Sequence, residues 1–391
     1  MSRLRVLISG AGIAGPTLAY WLARFGHSVT VVERSGTLRS SGNPVDVRQP
    51  AMPIVERMNI VSRLRQASTV VSGWTLRDDK GRHSARVDLG TLWRLRNEIE
   101  VPRGDLSTIL YEASRDSAEF IFGDAMVSLA QDGGGVDVEF ERSRPRRFDI
   151  AIGADGLHSR VRRLAFGPAS GFVRHAGLYV ATLPLPEGID PGRDITLLNA
   201  PGKAVALHPS RERPLALLIF RHPEIPDFDA WRVEQHKQIL QTTFAGFGWR
   251  VPEILAAAQE SRDLWFDEVS VVDLVNWARG RVTLLGDASS CASLFGDGST
   301  LAIAGAYTLA AALAEHPTEP ETAFRQYQAV HRRLVDPRLK GLPLIAGFLV
   351  PRTRIGISVR NRFVAIAGPT YAAGLRIGQI MRARSPVLEP L

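Results

Sequence analysis

Between an apolar run at residues 4–9 (LRVLIS) and a helical pattern at residues 14–25 stands Gly10-Ala11-Gly12-Ile13-Ala14-Gly15, and a second apolar run, SVTVVE, ends on Glu33. The order strand, glycine turn, helix, strand restricts the chain to a βαβ beginning. Gly10 permits the tight turn. Gly12 leaves no Cβ between the backbone and an approaching pyrophosphate. Gly15 lets the helix pack close to the strand, so that Ala14 and its neighbours open a helix whose free N–H groups and positive end face the phosphates. Glu33 lies 18 residues after Gly15, where an acid accepts hydrogen bonds from an adenosine ribose. An acid at that place disfavours a 2′-phosphate, so the motif predicts FAD or NAD rather than NADP.

Farther along, periodicity predicts a helix over 52–66, a hairpin of 71–78 with 83–89 and a helix over 104–117. Segments 119–122, 125–130 and 136–140 are expected to form a small sheet, and 148–152 (FDIAI) a buried strand. Runs at 177–183, 194–199, 203–208 and 215–221, separated by Pro and Gly turns, predict a mixed sheet, with a helix over 229–245 after it. Residues 281–285 (RVTLL) predict another buried strand, and 298–314 an Ala-rich helix.

A chain of 391 residues, 45% hydrophobic and 23% charged, suits a globular enzyme of two domains. Its cations are almost all arginines, spread along the chain rather than gathered in a tail, and no nucleic-acid-binding signature accompanies the net charge of +8, so nucleic acid is not expected as a partner. With the single Cys291, no disulfide within the chain and no CxxC metal site are possible, and the cytoplasm is the expected compartment. The nine His show no ligand spacing, so no metal is expected. Residues 1–23 mimic a secretory signal, but their glycines fall at nucleotide-binding spacing. No run reaches the ~20 apolar residues of a membrane span, and stable membrane insertion is not expected. The basic, half-apolar segment 352–362 (RTRIGISVRNR) is read as a helix packing across both domains, with attachment to a membrane surface as the alternative.

Two further segments carry chemistry. In Asp149–Arg163 (DIAIGADGLHSRVRR) a buried strand runs into Gly153-Ala154-Asp155-Gly156. In Arg281–Ala306 a strand delivers Gly286-Asp287, and a loop leads to Gly298 and a helix. An acid at a strand's carboxyl end accepts hydrogen bonds from a sugar-like chain, and the positive end of the following helix stabilises negative charge on a bound group.

These three segments, in this order, resemble the class A flavoprotein monooxygenases of the para-hydroxybenzoate hydroxylase fold, which include tetracycline-inactivating monooxygenases and polyketide hydroxylases. The resemblance covers residues 1–340 and implies an α/β fold in which a Rossmann-like FAD-binding domain is interrupted by a mixed β-sheet substrate domain and followed by a C-terminal helix. The expected boundaries are 1–70, 98–170 and 275–340 for the FAD domain, 71–97 and 171–274 for the substrate domain, and 341–391 for the C-terminal segment. It implies that Gly10, Gly12, Ala14, Gly15, Glu33 and Arg34 bind the ADP half of FAD, and that Arg103 contacts the diphosphate region. By the same resemblance Asp155 serves FAD and pyridine nucleotide, Gly286, Asp287 and Gly298 the ribityl or pyrophosphate part, and Asp46 lies near the isoalloxazine ring. The implied reaction uses NAD(P)H to reduce the flavin and O2 to form a C4a-hydroperoxide, which delivers one oxygen atom to an aromatic or polycyclic small molecule. No acid–base residue is assigned.

Several features stand beside the resemblance. The loop Ala288–Ser299 lacks the family's prolines and is one residue shorter. Cys291 within it is read as a small packing residue, since no His or Lys base stands nearby in the sequence. Gly248-Trp249-Arg250-Val251-Pro252 carries only one of the two tryptophans of a flavin halogenase motif. His175, Tyr179, Asn199, His208, Phe220 and Arg221 lie on strands of the substrate domain; Tyr179, His208, Phe220 and Arg221 are the substrate candidates. A C=C reductase of the same fold, an epoxidising or Baeyer–Villiger oxygenase and a flavin-binding accessory protein are the alternative functions, and the chain is expected to be a monomer or homodimer.

Overall fold

The computed structural model describes residues 3–38, 43–69, 71–88, 97–210, 213–226, 228, 232–292 and 297–366. The chain divides into two compact units. The first holds 1–67, 99–174 and 270–341; the second holds 68–98, 175–269 and 342–391.

In the first unit, β1 (Arg5–Ser9), α1 (Ala14–Arg24) and β2 (Ser28–Glu33) form the βαβ beginning. A short pair, β3 (Val45–Val47) with β6 (Ile99–Val101), encloses α2 (Met52–Arg57) and α3 (Val61–Gln66) in sequence. Then come α4 (Arg103–Ser114), β7 (Glu119–Phe122), β8 (Met126–Gln131), β9 (Val136–Phe140), β10 (Arg146–Phe148), β11 (Ile150–Gly153) and α5 (Arg160–Phe166). The unit closes with β17 (Ala278–Arg279), β18 (Val282–Leu284), β19 (Ser290–Ala292), α8 (Asp297–Glu315) and most of α9 (Pro320–Leu349). Its main sheet has the order β17-β18-β11-β1-β2-β7, parallel except for β17. Val6, Leu7 and Ile8 of the central β1 are fully buried, as expected of a strand covered on both faces. The sheet grows to either side of β1, and such a switch point opens a crevice at the carboxyl ends of the strands.

The sequence expectations differ from this at three places. The helix predicted over 52–66 breaks in two at Met58–Ile60, where Asn59 takes φ +58°; asparagine tolerates the left-handed conformation that ends a helix. Residues 119–122 do not join the small sheet expected for them: β7 pairs parallel with β2, and β8, β9 and β10 make the small sheet. The long α9 follows the Ala-rich α8, where the sequence expectations name no helix before the basic tail.

The second unit is a sheet of order β16-β12-β15-β14-β13-β4-β5, built from β4 (Gly73–Asp78), β5 (His83–Asp88), β12 (Val173–Pro184), β13 (Asp194–Ala200), β14 (Lys203–His208), β15 (Leu215–Arg221) and β16 (Trp265–Asp273). Two helices, α6 (Val233–Phe244) and α7 (Val251–Glu260), contribute Leu240, Phe244, Ile254 and Leu255 to a core shared with one face of that sheet. A last helix, α10 (Arg354–Ile366), belongs to this unit.

A buried imidazole braces the first unit. His331 of α9 stacks on Tyr327 and presses Nε2 against Gly305 of α8, where an added Cβ would come within 2.8 Å. Its Nδ1 has no hydrogen-bond partner among the described residues. Burial, with a smaller contribution from the charge of Arg338, pushes its pKa down from 6.5 to about 4. The fold therefore accommodates the neutral ring, while the unfolded chain takes up a proton near pH 6.5. Stability from this group is present above pH 6.5 and is lost as pH falls through about 4. Urea denaturation at the two ends of that window should show wild type losing about 3 kcal/mol that His331→Leu retains. An equal acid loss in both proteins would assign the pH dependence to other groups.

Candidate functional site

The three sequence motifs meet at the carboxyl ends of β1, β2, β11 and β18. The Gly10 N–H donates to the Val32 carbonyl at 2.7 Å, and the Ala154 N–H donates to Ser9 at 2.8 Å. A Cβ on Gly10, which holds φ +105°, would lie 2.5 Å from the Ala154 carbonyl oxygen. On Gly15 it would lie 1.9 Å from the Gly10 carbonyl oxygen. Packing alone therefore requires both glycines. Gly12 differs, because a Cβ there would meet no protein atom within 4 Å. The space beside it is open to a ligand. The helix end next to Gly12 is open as well: no side chain caps α1 and no acid stands in its first turn, which leaves its first N–H groups without a side-chain cap. Gly286 completes the convergence, its Cβ position 3.3 Å from the Cβ of Ala14.

Three carboxylates surround this turn, each held differently. Glu33 accepts the Ala11 N–H at 2.8 Å on one oxygen and the Ser35 N–H at 2.9 Å on the other. It thus holds the glycine turn itself, and each oxygen retains a lone pair. The adjacent Arg34 is exposed. Asp155 turns to its own chain, accepting from Ser159 Oγ and from the N–H groups of Arg160 (2.8 Å) and Val161 (3.2 Å), at the start of α5. Burial raises its pKa against those hydrogen bonds. Asp287 keeps partial solvent access, but the protein packed around its carboxyl raises its pKa; the charge of Arg103, at the start of α4, and a hydrogen bond with the Cys291 thiol oppose the shift. Cys291 is buried in β19.

Sequence reasoning did not single out Arg162. Its side chain is fully buried and donates to the carbonyls of Ala288, at 3.0 Å, and Leu157. It ties the turn after β11 to the residue that follows Asp287. In the run Arg160-Val161-Arg162-Arg163 nothing but the depth of α5 marks which arginine points inward. Asp46 was singled out, and the structure adds its partners. Its carboxylate meets Arg48 at 2.6 Å, and its carbonyl accepts from Ser299 Oγ at 2.6 Å and Thr300 Oγ1 at 2.9 Å. Asp297 joins Arg48 (3.6 Å) and Arg338 (3.1 Å) in the same charged row. A Cβ on Gly298 would stand 3.8 Å from Asp287 Oδ1, so the first turn of α8 carries both β3 and the neighbourhood of Asp287. Of the proline-free loop 288–299, residues 293–296 lie outside the described residues.

In the second unit, strand alternation separates the substrate candidates. Tyr179 and Phe220 face α6 and α7 and are fully buried, with ring centroids 5.6 Å apart. His208 and Arg221 lie on the other face. Arg221 donates to the carbonyls of Ala346 and Val350, both at 2.8 Å. Asn199 likewise donates to Leu349 at 2.8 Å. His175 packs 4.8 Å from the Tyr179 ring and stands 3.6 Å from Glu268. The structure therefore places Tyr179 and Phe220 in the core and uses Arg221 as an anchor for the C-terminal segment. His208 stands at the far end of β14, buried beside Ala206 on the face away from α6 and α7.

Comparison with known proteins agrees with this geometry. The model of the FAD binding domain family matches residues 3–335. A Mycobacterium tuberculosis protein described as uncharacterized is 36% identical, over 85% of this chain and 90% of its own length. A flavin-dependent monooxygenase of Legionella longbeachae is 32% identical, over 89% of this chain and 90% of its own. The crystal structure of tetracycline destructase Tet(55) superposes with a TM-score of 0.82 at 28% identity, over 95% of this chain and 97% of that one. A glycine turn that leaves its middle residue open beside an uncapped helix, within a chain matched almost end to end by flavin-dependent monooxygenases, has one reading: the chain belongs to the FAD-binding family of flavin-dependent monooxygenases and uses FAD as its cofactor.

Proposed function

We propose that this enzyme uses NAD(P)H and O2 to insert one oxygen atom into an aromatic or polycyclic small molecule. The observation that carries the site is the contrast among the glycines: Gly10 and Gly15 are closed by protein, and Gly12 is open beside the uncapped end of α1. That cradle fits a pyrophosphate. On this reading Gly10, Gly12, Ala14 and Gly15 shape the cradle, Glu33 presents its remaining lone pairs to the adenosine ribose, and Arg34 flanks it. Arg103 adds positive charge at the diphosphate. Asp287, with Gly286 and Gly298, accepts from the ribityl hydroxyls. Asp46 stands at the ring end, held by Arg48. Asp155 acts through the turn after β11, because its oxygens are spent on α5. Bound flavin supplies the oxygen-activating chemistry, and the protein binds, orients and excludes water. The second unit recognises the substrate, with His208 as its polar contact. The likeness to a tetracycline destructase supports a polycyclic substrate.

Purified protein should be yellow, with a flavin absorbance band, and NADH or NADPH oxidation with O2 uptake should rise on adding a ligand from a panel of phenols and polycyclic aromatics. Yellow protein in which the donor reduces a C=C bond without O2 uptake would replace this reading with the reductase one. Colourless protein that FAD cannot reconstitute would overturn it. Asp287→Ala should weaken FAD retention by about tenfold or more, as expected for losing a charge-assisted hydrogen bond. Glu33→Ala should do so more mildly, since backbone contacts remain. Full flavin content in both variants, read from the absorbance ratio after gel filtration, would remove these residues from the site.

A further inference from the structure

The arginines are spread along the chain, but the carboxylates are not. Between Asp336 and Glu389 stand nine of the 48 Lys and Arg (Arg338, Lys340, Arg352, Arg354, Arg360, Arg362, Arg376, Arg382 and Arg384) and none of the 40 Asp and Glu. That leaves 39 cations against 40 carboxylates in the rest, so the whole positive excess belongs to this stretch.

Helix α10 lies within it, and its orientation on the second unit is set by a buried polar knot. Arg360 donates to Asn199 Oδ1 at 2.8 Å and to the Phe348 carbonyl at 2.9 Å, with Ile357, Asn361 and Val364 buried beside it. The opposite face is therefore turned outward. It carries Ile355, Val359 and Phe363, which are 77%, 62% and 65% exposed. At i, i+4 and i+8 they fall within an arc of about 80°. Leu344, near the end of α9, is 80% exposed. Arg352, Arg354 and Arg362 beside the stripe are exposed as well. Among the described residues no single helix is long and apolar enough to cross a bilayer. An outward apolar stripe flanked by cations, in a stretch without carboxylates, is the pattern of a helix that lies in a membrane interface.

We propose that α10 docks this enzyme on an anionic phospholipid surface, with Ile355, Val359 and Phe363 entering the acyl boundary and Arg352, Arg354 and Arg362 meeting the headgroup phosphates. Such docking would favour substrates dissolved in or bound at the bilayer.

The test is flotation of the full-length, FAD-loaded protein with vesicles of phosphatidylcholine alone and of phosphatidylcholine mixed with phosphatidylglycerol. The protein should float only with the mixed vesicles and should be released by salt. Ile355→Ser/Phe363→Ser should abolish flotation while flavin absorbance and melting temperature stay those of wild type. Arg352→Gln/Arg354→Gln/Arg362→Gln should weaken binding by about a hundredfold, near fivefold for each charge. A site for a soluble phosphate would not respond to the apolar pair, so flotation unaffected by Ile355→Ser/Phe363→Ser overturns the proposal. Failure to float with mixed vesicles at low salt does so too. Light scattering gives the other arm: a wild-type dimer that the apolar pair converts to monomer, without vesicle binding, would assign the stripe to a second copy of the chain.

Discussion

Gly10 stands so close to the carbonyl of Ala154 that no side chain fits between them, and Gly15 stands closer still to the carbonyl of Gly10. This contact of backbone with backbone joins the ends of β1 and β11 to the start of α1. Hydrogen bonds from Gly10 to β2 and from Leu285 to Gly153 draw in the neighbouring strands. Everything else in the first unit is arranged around it. The turn is narrow, and of its three glycines Gly12 is the one left open, where a phosphate would approach.

The acids around the crevice have two tasks, and the structure divides them. Glu33 fastens the glycine turn while keeping lone pairs outward. Asp155 is consumed by the first turn of α5, and buried Arg162 then carries that turn to the backbone after Asp287. Burying Asp287 makes its charged form costly, and Arg103 and the Cys291 thiol partly offset that cost. A flavin's hydroxyl groups, which donate to a carboxylate, would offset it further. On the proposed reading the chemistry and the architecture share the same residues, and FAD binding would relieve the cost of burying Asp287.

The βαβ beginning, the strand that delivers Asp287 and most strands of the second unit were legible because each rests on local patterns: apolar runs bounded by Gly and Pro, and an acid at fixed spacing. The partner of β7 was not legible. A four-residue strand carries no mark of which edge it will join, and pairing with β2 is decided by residues 89 positions away, as between Thr30 and Glu119. The division of Tyr179 and Phe220 from His208 and Arg221 follows strictly from alternation once register is known. Register is what a single sequence withholds, since a shift of one residue exchanges the two faces.

The glycine turn, the acids that follow it and the excess of cations near the C-terminus are carried by the residue order alone. These depend on residue type, short spacing and charge, which the chain carries without folding. Tertiary structure alone decided which glycines are closed by packing and which is open, which arginine of α5 is buried, and which side of α10 faces outward. Each of these depends on what another part of the chain places within a few ångströms, and van der Waals exclusion and desolvation act only at that range.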